Sequence, residues 1–258
     1  MGRGVAPRGS VDVWLADPER VNGAVDEART SWLSAEERAR LEATLGLRAR
    51  RERFAAYLLA RWALARRLGC RPAEVLIARD DEGRPKPVPA PAGAVEVSLA
   101  HTRGMVVCGV AQNARLGVDA ERLRPRAGAG AIARRFFHPE EVRALEAAPA
   151  AERVDRFWAL WTLKEALVKA ARLDLCDGLG ACAFELDERG RVEARLANAD
   201  RASRIRGRWT FRLVAPSEAH YVAVAASVDG DRVLSAVAVH DVTAELLASV
   251  ARGGAVGG

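Results

Sequence analysis

The 258-residue chain has little that would tie it to an oxidising compartment. Its four cysteines, Cys70, Cys108, Cys176 and Cys182, stand far apart and form no CxxC pair. No histidine lies at zinc-ligand spacing from them, so reduced, partly buried thiols are expected. Long apolar runs are lacking too, and no stretch approaches the length that crosses a bilayer. The opening MGRGVAPRGS has no apolar signal core, and Ala6 stands where N-myristoylation needs Ser or Thr. These absences make a cytoplasmic protein without membrane association the expectation. The signs of a nucleic-acid module are also missing: no zinc finger, no helix-turn-helix signal and no basic strand interleaved with aromatics.

What is present supports a packed protein. Half the residues (50%) are apolar, enough for a core, and the length fits one large domain or two modest ones. The net charge of +6 is carried mostly by arginine and points to an anionic ligand or partner. Basic residues concentrate between Arg38 and Arg71 with apolar residues among them, a pattern that a solvated helix face would also give.

The chain reads as a duplicated unit. SAEERARLE (34–42) opens a helix with a capping box, Ser34 and Glu37 each satisfying a free backbone N–H. HPEEVRALE (138–146) repeats it about 100 residues later, with Pro139 suited to the first helical position. RFAAYLLARWALARRL (53–68) is then matched by RFWALWTLKEALVKAARL (156–173), both long amphipathic helices. Two strands around Thr102-Arg103-Gly104 are matched by two around Pro216-Ser217-Glu218. The Pro-rich 83–94 reads as a loop, and the Gly-Ala stretch around 126–131 as a flexible link. The expected fold is α+β: two similar halves related by pseudo-two-fold symmetry, each a long helix on an antiparallel sheet. The boundaries are 11–115 and 116–245, with 1–10 and 252–258 frayed.

Chemistry concentrates in the second half. In LGVDAERL (116–123), Asp119 and Glu121 are two apart on a strand and face one side. Two such charges repel unless a cation sits between them, and oxygen donors suit a hard dication, although two solvated acids at a strand end would look the same. In FWALWTLKEALVKA, Trp161, Glu165 and Lys169 fall on one helical line at the core edge. There the acid and base could have shifted pKa values, or could form an ordinary i,i+4 pair. Glu141 could complete a cap or aim a third carboxylate at the site. His101 could be a structural residue or a ligand.

Together GVDAE, RRFFHPEE and WTLKEALVKA, in that order and with about forty residues between DxE and KEA, resemble the signatures of the 4′-phosphopantetheinyl transferase superfamily. GRP (83–85) and SLAHT (98–102) resemble two further segments of that family, and the duplication resembles its single-chain, Sfp-type branch. The resemblance covers roughly residues 30 to 230. It implies transfer of 4′-phosphopantetheine from coenzyme A to a serine of an apo acyl or peptidyl carrier protein, with release of 3′,5′-ADP.

By the resemblance, Asp119, Glu121 and Glu165 hold Mg²⁺, with Mn²⁺ as a substitute. Glu165 is the first choice as general base, and Glu141 the second choice or a further metal ligand. Lys169 meets the diphosphate and the leaving oxygen. Arg40, Arg53, Arg84, Lys86 and His101 contact the 3′-phosphate and adenosine part. The arginine-rich Arg122–Arg134, with Arg124 and Arg126, and the start of the helix at Pro139 receive an acidic carrier in a transient complex. A monomer is implied, without nucleic acid. Three departures stand out: Glu37 where some relatives have lysine, Ala100 where many have serine, and Arg84 in place of the commoner lysine. The competing reading is a basic coenzyme A- or nucleic-acid-binding protein without transferase activity.

Overall fold

The computed structural model describes residues 9–23, 32–88, 94–186, 192–196, 207–229 and 237–251, with Ile205 and Leu234. In chain order the first elements are β1 (Ser10–Ala16), α1 (Pro18–Gly23), α2 (Ala35–Glu42) and α3 (Leu47–Leu68). The strands β2 (Leu76–Arg79), β3 (Pro85–Val88), β4 (Val95–Thr102) and β5 (Met105–Gln112) follow. The second half runs β6 (Arg115–Arg122), α4 (Ala129–Phe136), α5 (Pro139–Ala147), α6 (Ala150–Ala171), α7 (Leu175–Gly178) and β7 (Cys182–Leu186). It continues with β8 (Val192–Leu196), β9 (Arg208–Ser217) and β10 (His220–Val228), and the chain closes with β11 (Ala238–Asp241) and α8 (Thr243–Ala251).

These elements form two compact units of mixed helix and sheet, so the α+β class holds. The N-terminal unit takes residues 9–114 together with the last strand and helix. Its sheet runs β11-β1-β5-β4, and β11 pairs parallel with β1 while the other pairings are antiparallel. Residues 238–245, expected with the second half, therefore belong to the first. The parallel pairing of Asp12 through Leu15 with Ala238 through Asp241 draws them there. α3 spans 22 residues with no glycine, proline or β-branched side chain, which favours an uninterrupted helix. It buries Phe54, Leu58, Leu59, Trp62 and Leu64 against this sheet.

The C-terminal unit repeats the plan. Its sheet β6-β10-β9 is antiparallel, and α6, also 22 residues long, packs on it through Phe157, Leu163, Ala166, Leu167 and Ala170. Two local expectations are corrected. Pro85–Val88, read as loop, is a strand paired with Leu76–Arg79, while 89–93 lies outside the described residues. A two-stranded ribbon tolerates proline because each strand has an unpaired side. The Gly-Ala stretch is the start of α4, whose Ile132, Phe136 and buried Ala133 pack on the core. Of the expected frayed termini, 1–8 and 252–258 lie outside the described residues, whereas Ser10, expected in the frayed 1–10, opens β1 and pairs with Gln112. No described helix is long and apolar enough to cross a membrane. The cysteines are free thiols, and burial pushes Cys182 up to about 12.

Candidate active site

Both capping boxes form, and each goes further than its sequence shows. Ser34 Oγ accepts from Glu37 N at 3.1 Å, and Glu37 Oε2 accepts from Ser34 N at 2.9 Å. The same Oε2 then takes Arg61 Nη2 at 2.6 Å, in a pair almost wholly buried. In the second half Glu141 Oε2 accepts from His138 N at 2.9 Å and from Lys164 Nζ at 2.7 Å. Arg61 and Lys164 each stand eight residues after the Arg-Phe that marks the repeat. The repeat is thus a buried acid–base pair pinning the short helix to the long one. Glu37's departure to an acid belongs to this pairing.

Glu141 is consequently not presented to the other acids. Its second oxygen accepts from Phe184 N at 2.8 Å. Lys164 also donates to Leu179 O at 2.6 Å and Cys182 O at 2.8 Å, under the rings of Phe137 and Phe184. Burial pushes Glu141 up and Lys164 down, against their mutual attraction. A carboxylate with both oxygens so engaged is a structural clamp, which corrects its expected place as alternative base or metal ligand.

Asp119 lies within electrostatic reach of both Glu121 and Glu165. Asp119 and Glu121 lie two apart on β6, opposite Ala223 and Tyr221 of β10, and project toward α6. α6 can come close because Gly117 has no side chain: a Cβ there would stand 2.1 Å from Ala166 O and 2.6 Å from Ala170 N. Burial, then the charges of Asp119 and Glu165, raises Glu121 to about 7. Burial, then Asp119, raises Glu165 to about 7, while Lys169 and Arg126 pull it back. Lys169 Nζ donates to Asp119 Oδ1 at 2.7 Å and to Val118 O at 3.1 Å. The strand acid, not Glu165 on its own helix, is its partner.

Trp161 organises the opposite side. Its indole nitrogen is close enough to lower the pKa of Glu121 and Glu165, yet it satisfies hydrogen-bond geometry with neither. Its ring stacks on Phe157, with centroids 5.9 Å apart. The guanidinium of Arg126 lies over Trp158 and Trp161 at 5.5 and 5.4 Å, and that of Arg124 over Trp158 at 5.7 Å. The sequence pattern marked Trp161 as a neighbour of Glu165, but it gave no sign of this arginine platform.

No three acids or imidazoles among the described residues are gathered closely enough to grip a metal ion as they stand. The donor set still fits a hard dication: three carboxylates crowd one strand–helix face, two of them with raised pKa values, and an indole N–H lies between them with no bond made.

The five residues expected at the coenzyme A 3′-phosphate lie in the N-terminal unit. Arg53 Nη1 donates to Thr44 Oγ1 at 2.7 Å and, at 3.4 Å, to the carbonyl of Arg40. Exposed His101 places Nδ1 3.4 Å from Glu52 Oε2. Arg53 and His101 therefore lie at the first turns of α3, while the Arg40 guanidinium is paired with Glu36 on α2. Arg84 is held instead by Asp80 at 2.7 Å and by Glu82, beside exposed Lys86 on the β2–β3 ribbon. A cavity of about 880 Å³ lies elsewhere in the C-terminal unit, over Leu160, Phe184 and Leu213. Asp119, Glu121 and Glu165 do not line it, and its arginines, Arg156 and Arg195, are tied to Glu152 and Glu185.

A family model described as the 4′-phosphopantetheinyl transferase superfamily matches residues 115–225, the span that carries all three acids. A Thraustochytrium protein named phosphopantetheinyl transferase is 30% identical over 220 residues, 75% of each chain. A Synechocystis protein named for 4′-phosphopantetheinyl transferase is 29% identical over 65% of this chain and 67% of its own. Among solved structures, a Chronobacterium ammoniagenes ACPS–CoA complex matches 45% of this chain and 98% of its own, at 19% identity and a TM-score of 0.36.

Proposed function

The chain belongs to the 4′-phosphopantetheinyl transferase superfamily, and from that premise we propose that the Asp119–Glu121–Glu165 face receives the diphosphate of coenzyme A and directs its phosphopantetheine arm onto a carrier-protein serine. The crowding of those acids carries the reading. Glu121 and Glu165 both stand near 7, raised first by burial and then by the charge of Asp119. Such crowding disfavours the charged forms until a cation comes between them. Mg²⁺, or Mn²⁺ in its place, would be held by these three and would supply charge neutralisation at the diphosphate.

The chain's own groups do the rest. Glu165 takes the serine proton directly or through water. The serine oxygen bonds to the phosphorus that bears pantetheine, the bond to the bridging diphosphate oxygen breaks, and 3′,5′-ADP leaves with that oxygen. Lys169, about a third exposed, neutralises the departing charge. Arg53 and His101 at α3 and Arg40 on α2, with Arg84 and Lys86 on the ribbon, serve the 3′-phosphate and adenosine. Arg124, exposed in the arginine-rich stretch after β6, meets an acidic carrier.

The test is mass spectrometry of an apo carrier incubated with the protein, coenzyme A and Mg²⁺. Gain of one phosphopantetheine, lost with Asp119→Ala and with EDTA, is the expected result. No gain across acyl and peptidyl carriers, with coenzyme A binding intact, would favour a non-catalytic binder instead.

A further inference from the structure

We infer that Arg126 is a binding residue for the diphosphate and serves a different ligand from its neighbour Arg124. This rests on the reading above that the three acids flank coenzyme A. The guanidinium of Arg126 lies 5.5 Å from the Trp158 ring centroid and 5.4 Å from that of Trp161. Trp161 thus carries a cation over its ring and stands one helical turn before Glu165 on α6. A cation seated on that turn is within reach of phosphate oxygens brought to Glu165.

The two indoles hold the Arg126 guanidinium through cation–π attraction and dispersion. Its N–H edges form no hydrogen bond or ion pair with a described residue. Arg126 is therefore both oriented and uncommitted, the state in which a fork of donors binds phosphate with least ordering cost. Lys169 differs, because its ammonium already serves Asp119 at 2.7 Å and the Val118 carbonyl. Arg124 differs as well: it is exposed, and its guanidinium lies over Trp158 at 5.7 Å but not over Trp161, although its charge also reaches Glu121. The expectation that both arginines face the carrier is thus divided. The half-buried one turns to the nucleotide, and the exposed one keeps the carrier.

Calorimetry of coenzyme A binding with Mg²⁺ and no carrier, set beside the steady-state carrier KM, tests this. Arg126→Gln is expected to weaken coenzyme A roughly tenfold and to weaken dephospho-coenzyme A by the same factor, since the contact is not to the 3′-phosphate. Its carrier KM stays as it was. Arg126→Lys, which keeps charge and fold but cannot stack as a plane, restores only part of the affinity. Arg124→Glu shows the reverse: coenzyme A binding is kept and the carrier KM is raised. Unchanged coenzyme A affinity in Arg126→Gln with a raised carrier KM would overturn the inference, as would a loss absent for dephospho-coenzyme A. If the unsubstituted protein binds no coenzyme A, the functional reading falls with it; equal binding by both proteins overturns this inference alone.

Discussion

Lys169 Nζ lies 2.7 Å from Asp119 Oδ1, so a helix ammonium neutralises a buried strand carboxylate across the strand–helix contact. An arriving diphosphate and dication would compete for both ends of this pair. Lys169→Ala is expected to lower kcat about a hundredfold, the scale for loss of one transition-state donor. The carrier KM should change little. Equal losses in kcat and in carrier affinity, measured by steady-state kinetics, would place Lys169 on the docking surface instead.

Protons and metal should compete at the acids. Glu121 and Glu165 stand near 7, well above an unfolded carboxylate. Between their unfolded values and about 7 the folded protein holds more protons than the unfolded chain, so metal-free stability falls as pH rises. Metal binding needs the acids ionised, so Mn²⁺ affinity should strengthen from pH 6 to 8 and proton release should accompany binding below about 7. Calorimetry in two buffers of different ionisation enthalpy measures the protons released. Thermal melts with and without Mn²⁺ should diverge most at the alkaline end, and Glu165→Gln should flatten the divergence.

The Glu141–Lys164 pair predicts a stability phenotype. Breaking a buried pair from one side leaves an uncompensated charge, which costs about 3–5 kcal/mol. Glu141→Gln and Lys164→Met should each fall in that range by denaturant unfolding. The double variant should be less destabilised than the sum of the two. Any Glu141→Gln protein that folds should still turn over, since Glu141 has both oxygens engaged away from the three acids. Abolished turnover in well-folded Glu141→Gln would restore it to the chemistry.

Arg84 gives a local readout of ligand binding. The Arg84 guanidinium beside it lowers Asp80 to about 2. If Arg84 leaves for a phosphate, the Asp80 carboxyl should titrate closer to its ordinary value. Carboxyl NMR shifts with and without coenzyme A follow that midpoint. Arg84→Gln should raise it without ligand.

Much of this architecture was legible in the residues. The repeated cap, long helix and strand pair pointed to two α+β units, because each is written in local signals: a Ser-x-x-Glu box, helix formers in series, apolar strands around a turn. The alternation in GVDAE placed Asp119 and Glu121 on one face for the same local reason. Other features were not legible because tertiary partners decide them. Nothing near Glu141 says that Lys164 will swing beneath Phe137 to reach it. The prolines of 85–88 signalled a break, yet pairing with Leu76–Arg79 overrode it. The closing strand joined the first unit through its partner β1, which lies at the far end of the sequence.

Gly117 sets the terms on which the acids meet. A single methyl there would collide with the backbone of α6, and backbone, unlike a side chain, has no rotamer into which to retreat. Strand and helix therefore close like the jaws of a vice whose gap is fixed by an atom that is not there. Glu165 on one jaw and Asp119 on the other inherit their separation from that gap, so a side chain added at Gly117 detunes both at once.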